Sequence, residues 1–313
     1  MTRTPPSLID PADLAAVADL LLLARMVVAG LRSGVHRSLH TGTSAEFAQY
    51  RPYVRGDDPR FVDWRLYGRT DRFHVRQHQA ETTMRCSLLL DCSGSMDYGS
   101  GAVDKFTYAR MLAASLALLA SQQGDQVGFA AYDTELRAYL PPRAHSGQLQ
   151  RMLAELDGLR PSGSTDAEEA LRFIGDALPA HGMIVLISDL LHPIDAMIGH
   201  LRSLRARRHD VLVLQISDPA EQTFPFQRAL TLADAEDGRE QYTVPQAVRQ
   251  QYLDNRAHHF DRIAGECLAA EIDIEEFSCA EPLDRALHRF LHRRSRLLHT
   301  ASRRQGRPLS GRG

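Results

Sequence analysis

The sequence contains few cysteines, and none is spaced as a metal or disulfide motif would require. Four occur in 313 residues, at Cys86, Cys92, Cys267 and Cys279. No pair has the C-x-x-C spacing that marks many zinc sites and redox dithiols. Disulfide frameworks belong mainly to small secreted chains. The cysteines therefore indicate reduced thiols, and we expect neither a disulfide network nor a zinc site.

The sequence also lacks a hydrophobic run long enough to span a membrane. Its most apolar N-terminal stretch, residues 20–31, follows Asp19 and is interrupted by Arg25. A spanning helix needs about 20 predominantly apolar residues. The first residues, MTRTPPSLIDPADL, place prolines and acids where a secretion signal carries a basic segment. We therefore predict a cytoplasmic protein without a membrane span.

Neither sign of charge dominates the chain. The 37 lysines and arginines nearly balance the 39 aspartates and glutamates, which leaves a formal net charge of -2. The total therefore gives no general attraction to nucleic acid or to anionic membranes. No G-x-G-x-x-G follows the first predicted strand, which argues against a dinucleotide-binding fold. The length and the ordinary hydrophobic share of 43% suit one large α/β domain or two small domains.

The sequence does contain a regular alternation of apolar strands and helices. Continuous runs such as SLLL, IVLI and VLVL are typical of strands covered on both faces. The predicted strands are residues 85–90, 126–132, 135–140, 183–189, 211–217 and 272–277. The predicted helices are residues 104–122, 147–156, 167–178, 194–207, 244–269 and 282–298, with a loop near 221–240. The pattern predicts an α/β fold with a doubly wound, mostly parallel six-stranded sheet.

Composition divides the chain into four predicted segments. Residues 1–45 form an N-terminal helical segment, in which Asp10 or Asp13 is placed to cap a helix that ends near Val35. Residues 46–83 are rich in arginine, aspartate and aromatic residues and predict a β element. Residues 84–297 form the α/β domain. Residues 298–313 carry basic residues and no acid, and we expect this tail to be disordered.

Polar residues follow the two strands predicted to be central. Asp91, Ser93 and Ser95 follow the first apolar run, in SLLLDCSGSM, and Asp189 follows IVLIS. Ligands of open α/β sheets bind beyond the carboxyl ends of the strands, where the strand order reverses. Thr165, in the loop SGSTD, is a further candidate. Two carboxylates and three hydroxyls suit a hard divalent cation, with Mg²⁺ preferred and Mn²⁺ or Ca²⁺ as alternatives. Capping of an ordinary turn by Asp91 and Ser93 is the competing interpretation.

These motifs resemble the metal-ion-dependent adhesion site of von Willebrand factor A domains. DCSGSM, GST and ISD occur in the order and strand context that this family shows. The resemblance implies that Ser93, Ser95 and Thr165 coordinate the ion directly or nearly so. It also implies that Asp91 and Asp189 act partly through bound water. A carboxylate from a partner protein would then fill the open coordination position, and the protein would not be an enzyme.

The segment between Arg51 and Arg76 has a second distinctive composition. It carries seven arginines and four aspartates, a local charge of +3, interleaved with aromatic residues. Arginines and aromatics can stack on nucleic-acid bases. The interleaved aspartates would repel phosphate and pair with the arginines, so we favour a structural or protein-binding element over nucleic-acid binding.

The segment before the first central strand resembles the signature of the bacterial family called domain of unknown function 58. Its sequence is EFAQYRPYVRGDDPRFVDWRLYGRTDRFHVRQHQAE. Members are commonly encoded beside MoxR-type AAA+ ATPases. The resemblance implies an adaptor for such an ATPase in complex assembly or metal insertion, acting on the ATPase or on a client protein that offers an acidic residue.

Three other functions compete with this one. A metal-dependent hydrolase could use the same five residues but would need a base, which the sequence does not identify. A serine hydrolase is disfavoured because Ser93 and Ser95 lack the G-x-S-x-G context. Nucleic-acid binding through residues 51–76 stays open as an alternative and would weaken steeply with salt.

Overall fold

The structure is a computed structural model that describes residues 20–34, 49–53, 62, 64–77, 84–163, 167–178, 181–192, 194–233 and 239–305. The chain forms two compact units. The smaller unit is Val35–Thr83, and the larger unit combines Met1–Gly34 with Met84–Gly313. The four predicted segments remain a prediction, and the two units are described separately below.

The first described helix of the larger unit is α1 (Leu20–Gly34). Its buried residues Leu23, Ala24, Val27 and Val28 recur at helical spacing and form one apolar stripe. Asp10 and Asp13, predicted to cap this helix, lie outside the described residues. No helix in the described part of the chain is both long and apolar enough to cross a membrane.

The smaller unit contains strand β1 (Gln49–Pro52), helix α2 (Trp64–Thr70) and strand β2 (His74–Gln77). The two strands pair antiparallel. Tyr67 and Phe73 stack with ring centroids 4.3 Å apart, and Trp64 meets both rings edge-on at 6.3 Å. The composition of residues 46–83 predicted a β element, and α2 was not predicted. Asp57, Asp58 and Asp63 lie outside the described residues, so their pairing with arginines stays a prediction.

The strands of the larger unit are numbered onward from β2 in chain order. They are β3 (Arg85–Asp91), β4 (Gln126–Tyr132), β5 (Leu136–Arg143), β6 (Met183–Ser188), β7 (Asp210–Ser217), β8 (Leu230–Ala233), β9 (Glu240–Thr243) and β10 (Asp273–Ser278). Six of them form one sheet in the order β10-β7-β6-β3-β4-β5. All pairs are parallel except β4 with β5. The predicted α/β class and the mostly parallel six-stranded sheet are confirmed.

Helices cover both faces of this sheet. They are α3 (Lys105–Gln122), α4 (Gln148–Gly158), α5 (Ala167–Ala177), α6 (Ile194–Ala206), α7 (Pro219–Thr223), α8 (Pro245–Ala269) and α9 (Leu283–Gln305). Alternate strand residues point to opposite faces. Leu88 and Leu90 therefore join a core with α1, α3, α4 and α9, whereas Leu89 joins a second core with α5, α6 and α8. Full burial of each leucine contributes about 1.5–3 kcal/mol.

The two edge strands of the sheet, β10 and β5, each have a feature that limits pairing with a further strand. On β10, Arg293 donates to the carbonyl oxygen of Ile274 at 3.0 Å, and Arg289 donates to that of Glu276 at 3.1 Å. β5 contains Pro141 and Pro142, which have no backbone N–H to offer a further strand. On each edge strand, some backbone groups are thus unavailable for strand addition.

The predicted elements agree with the structure except in three places. Residues 221–240, predicted as a loop, include part of α7, all of β8 and the first residue of β9, which pairs antiparallel with β8. α2 was not predicted. α9 continues to Gln305, beyond its predicted end at residue 298 and into the segment for which the sequence predicted disorder. Residues 306–313 lie outside the described residues.

Candidate metal site

The candidate site lies where the strand order of the sheet reverses. β3 and β6 are neighbours in the sheet, with Leu90 opposite Ile187, and the chain leaves them toward opposite sides. Asp91 is the last residue of β3, and Asp189 follows the end of β6. Both carboxylates are buried. The topology therefore brings together the two strand ends that the sequence singled out.

Asp91 is held by one hydrogen bond on each carboxylate oxygen. The backbone N–H of Ser93 donates to Oδ1 at 2.9 Å, and the Ser188 hydroxyl donates to Oδ2 at 2.6 Å. The first bond closes a tight turn of the kind that aspartate favours. The second crosses from β6 to β3. Together they fix the orientation of the Asp91 carboxylate at the end of the sheet.

The two predicted serines meet at the same place. The hydroxyls of Ser93 and Ser95 share a hydrogen bond of 3.1 Å. Ser93 is fully buried, and Ser95 lies at the start of the short 3-10 turn Gly94–Asp97. The every-second-residue spacing therefore does place both hydroxyls side by side, because the chain turns directly after Asp91.

The loop that carries these serines is fastened to the loop before α5. The N–H of Gly94 donates to the carbonyl of Gly163 at 2.9 Å, and the N–H of Ser162 donates to that of Cys92 at 2.9 Å. Thr165, the fifth predicted ligand, lies outside the described residues. Its role stays a prediction.

Asp189 is bonded to a buried lysine that the sequence analysis did not identify. The Lys105 Nζ donates to Asp189 Oδ2 at 2.8 Å and to Glu221 Oε1 at 2.5 Å. Lys105 begins α3 and is fully buried, while Glu221 lies on α7. The second oxygen of Asp189 accepts from the N–H of Leu191 at 3.3 Å. The site thus extends from the two strand ends to α7.

The electrostatics of the site favour a cation near Asp91. Burial, followed by the negative charge of Asp189, raises the pKa of Asp91 to about 7, although hydrogen bonds from Ser188 and Ser93 oppose the shift. Two buried carboxylates that disturb each other in this way are stabilised as anions by a bound cation. Cys92 differs, because burial and then the charge of Asp91 raise the pKa of its thiol to about 12. That thiol stays protonated and is not a nucleophile.

The loop after β6 has a constrained backbone. Leu190 has φ of 59° in the left-handed region, although it is a fully buried non-glycine residue. Its N–H donates to the Ser188 hydroxyl at 3.0 Å, and its carbonyl accepts from His259 Nε2 on α8 at 2.8 Å. Such a conformation costs on the order of 1–3 kcal/mol and persists where neighbouring contacts enforce it. The position of Asp189 is therefore enforced from two sides.

Three residues of the site escaped the sequence analysis: Ser188, Lys105 and Glu221. Ser188 stood within the motif ISD, beside the predicted Asp189. Glu221 carried no sequence signal, because it fell in a predicted loop. Lys105 did carry one, since it is the only lysine in the chain beside 36 arginines. A single lysine at the start of a helix next to the candidate site could have been singled out on that ground.

The donors present fit a hard divalent cation. Asp91, Asp189, Ser93 and Ser95 offer only oxygen atoms, which Mg²⁺ prefers. Within the described ranges, no three His, Cys, Asp or Glu side chains are grouped so that they could hold a metal ion by themselves. An ion at this site would therefore depend on serine hydroxyls and on water, as Mg²⁺ sites commonly do. The set is unsuited to zinc, which favours nitrogen and sulfur.

An α/β sheet with an oxygen-rich cluster at its switch point defines the general class, and comparison with known proteins defines the family. Residues 49–262 match the family model described as "Protein of unknown function DUF58". The chain therefore belongs to the DUF58 family. It is 30% identical over 264 residues to the uncharacterized protein Mb1516 of Mycobacterium bovis and, equally, to Rv1480 of Mycobacterium tuberculosis. The alignments cover 82% of this chain and 83% of each relative.

Two solved structures show a low similarity to this chain. BatB, a conserved hypothetical protein from Bacteroides thetaiotaomicron, is 13% identical, with a TM-score of 0.45, over 68% of this chain and 99% of its own. The VWA domain of SpRpn10 is 10% identical, with a TM-score of 0.40, over 65% and 94%. Because these similarities are low, the fold class rests on the strand order and register of the chain itself.

Proposed function

We propose that this protein is a cytoplasmic, non-enzymatic interaction module that binds a divalent cation, with Mg²⁺ preferred, and uses it to hold a carboxylate of a partner protein. The partner would be a MoxR-type AAA+ ATPase or a client of that ATPase. The protein would act as its adaptor in complex assembly or metal insertion. The choice of this partner rests on the family resemblance.

One observation supports the ion in particular. Asp91 and Asp189 lie buried at the ends of two adjacent parallel strands, beside the paired hydroxyls of Ser93 and Ser95. Asp189 is already paired with the Lys105 ammonium. The donors to Asp91, in contrast, are the uncharged N–H of Ser93 and hydroxyl of Ser188. A buried carboxylate that is not paired with a cation carries a large desolvation cost. A divalent ion would offset that cost, and the hydroxyls would complete part of its coordination.

The residues of the candidate site have different roles in this proposal. Ser93, Ser95 and, as predicted, Thr165 would hold the ion, while Asp91 and Asp189 would balance its charge. Ser188 orients Asp91 through its 2.6 Å hydrogen bond. When bound, the ion would supply an open coordination position for a carboxylate of the partner. A carboxylate is a hard oxygen ligand of the kind that Mg²⁺ accepts.

Removal of Asp91 tests the ion site directly. Asp91→Ala should abolish the binding of Mg²⁺ and Mn²⁺ in titration calorimetry and the rise in melting temperature that these ions cause. The matched control is Asp261→Asn, an exposed carboxylate on α8. The control should bind as the wild type does. Equal ion binding by Asp91→Ala and the wild type would exclude the site.

The partner is tested with purified proteins. A MoxR-type ATPase from the same genome should be retained by the immobilised wild type in Mg²⁺, and lost in EDTA or with Asp91→Ala. Retention that is equally strong in EDTA would contradict capture through the ion. The Asp261→Asn protein again serves as the control, because Asp261 is exposed and is not one of the proposed site residues.

A further inference from the structure

Lys105 is placed where a lysine is seldom found. Its side chain has no solvent exposure, and its Nζ lies between Asp189 at 2.8 Å and Glu221 at 2.5 Å. The ring of Tyr98 covers a third side, with its centroid 5.8 Å from Nζ. Lysine is almost never fully buried unless its charge is paired. Here both paired carboxylates are close, and one of them belongs to the candidate ion site.

Helix stability does not explain this lysine. Lys105 is the first residue of α3, whose N-cap is Asp104. The N-terminus of a helix carries partial positive charge, so a cation there is disfavoured. Burial of the ammonium adds a desolvation cost of several kcal/mol. Both costs are tolerated at a position whose side chain reaches Asp189.

The presence of lysine and not arginine at position 105 also needs an explanation. The chain has 36 arginines and this one lysine. Arginine presents a wide planar fork, whereas lysine presents a compact point charge on a flexible stem. A slot between two carboxylates and an aromatic ring suits the compact charge. The one lysine of the chain thus stands where its ammonium contacts Asp189 of the candidate site.

The ammonium acts on the site through charge. It takes up one oxygen of Asp189 and places a positive charge beside the position where a divalent ion would bind, and like charges repel. Glu221 lies on the other side of the ammonium and offsets part of that charge. We propose that Lys105 is the resident cation of the site and sets, together with Glu221, its affinity for divalent ions. This inference rests on the proposed function.

Substitutions of Lys105 and Glu221 should change the affinity for Mg²⁺ in opposite directions. Removal of the ammonium removes the repulsion, so Lys105→Met should bind Mg²⁺ more tightly. Removal of the Glu221 charge leaves the whole ammonium charge acting on the site, so Glu221→Gln should bind Mg²⁺ more weakly. Glutamine keeps an oxygen that can accept from the Asp218 N–H, as Glu221 does. A merely structural role of Lys105 would weaken ion binding in both variants.

The experiment is a calorimetric titration of the full chain with Mg²⁺ and, separately, with Mn²⁺. We expect about tenfold tighter binding by Lys105→Met and about threefold weaker binding by Glu221→Gln. Arg262→Met is the matched control, since it removes a surface cation that pairs with Asp195. It should bind as the wild type does. Equal or weaker binding by Lys105→Met would overturn the proposal.

A double variant keeps the test valid if Lys105→Met does not fold. Lys105→Met/Glu221→Gln removes one charge of each sign and should still bind Mg²⁺ more tightly than the wild type. Weaker binding by a folded double variant would overturn the role of Lys105 while leaving the ion site in place. If the wild type and all variants bind neither Mg²⁺ nor Mn²⁺, the proposed function itself is wrong.

Discussion

At the scale of single residues, Asp91 carries a strong electrostatic signature. It is fully buried beside Asp189, and its ordinary pKa of 3.8 is raised to about 7. In the absence of a bound cation, ionisation of Asp91 therefore opposes folding. The hydrogen bonds from Ser93 and Ser188 offset only part of this effect.

This signature predicts a pH dependence in the absence of metal. Because the pKa of Asp91 is higher in the folded state, the folded protein holds a proton that the unfolded chain loses between about pH 4 and pH 7. The Asp91 contribution to stability is thus present below pH 4 and lost as the pH rises to 7. Asp91→Asn should lack this loss, so its free energy of unfolding should exceed that of the wild type increasingly, by on the order of 1–4 kcal/mol at pH 7.

The measurement is denaturant unfolding of both proteins in EDTA at several pH values. The difference between variant and wild type isolates Asp91 from the other titrating groups. A difference that stays constant between pH 4 and pH 7 would contradict the raised pKa. Excess Mg²⁺ should reduce the difference, because a bound cation stabilises the Asp91 anion.

At the scale of elements, the packing of β4 against β5 depends on one glycine. A Cβ atom on Gly128 would lie 2.9 Å from the ring and backbone nitrogen of Pro142. The register between the two strands shifts at this point, between Val127 and Phe129. The close approach of β5 therefore requires a residue without a side chain.

Gly128→Ala should consequently destabilise the protein by about 1–3 kcal/mol, as overpacking of a close contact does. Gly265→Ala is the matched control, because nothing lies within 4 Å of its Cβ position on α8. In a helix interior that change should stabilise by about 0.5–1 kcal/mol. Thermal unfolding of the two variants should move in opposite directions. Equal melting temperatures would show that β5 can yield at Pro142.

The success of the sequence predictions differs between elements for physical reasons. The central strands were predictable because both faces are buried, which leaves continuous apolar runs such as residues 88–90. The hairpin of β8 and β9 was not, since its strands have four residues each and mostly exposed side chains. α7 is only five residues long and carries little periodicity. Short exposed elements depend on their neighbours, and the local sequence does not record those contacts.

The site shows the same division. The sequence placed Asp91, Ser93, Ser95 and Asp189 at strand ends, and the topology brings these ends together. The contribution of Ser188, Lys105 and Glu221 depends on side-chain contacts across long sequence separations, which periodicity cannot reveal. Lys105 and Glu221, for example, are 116 residues apart.

At the scale of the whole molecule, the edge strand β10 affects association between copies. Arg289 and Arg293 bond carbonyl oxygens that β10 would otherwise offer to a further strand. Arg289→Ala/Arg293→Ala should expose this edge and increase the weight-average mass in sedimentation experiments at high concentration. Arg202→Ala/Arg262→Ala removes the same charge from α6 and α8, where these arginines pair with Glu266 and Asp195 and not with β10. That control should sediment as the wild type does, and similar masses for both double variants would contradict a protective role.

The burial of Lys105 also has a consequence for chemical labelling. No other lysine exists in the chain, so the surface of the folded protein presents no lysine amine. Acylating reagents that modify lysines can reach a side-chain amine only when the contacts of Lys105 with Asp189 and Glu221 open. The fraction of protein that carries one acyl group on Lys105 would therefore measure how often the interior of the site is exposed to solvent.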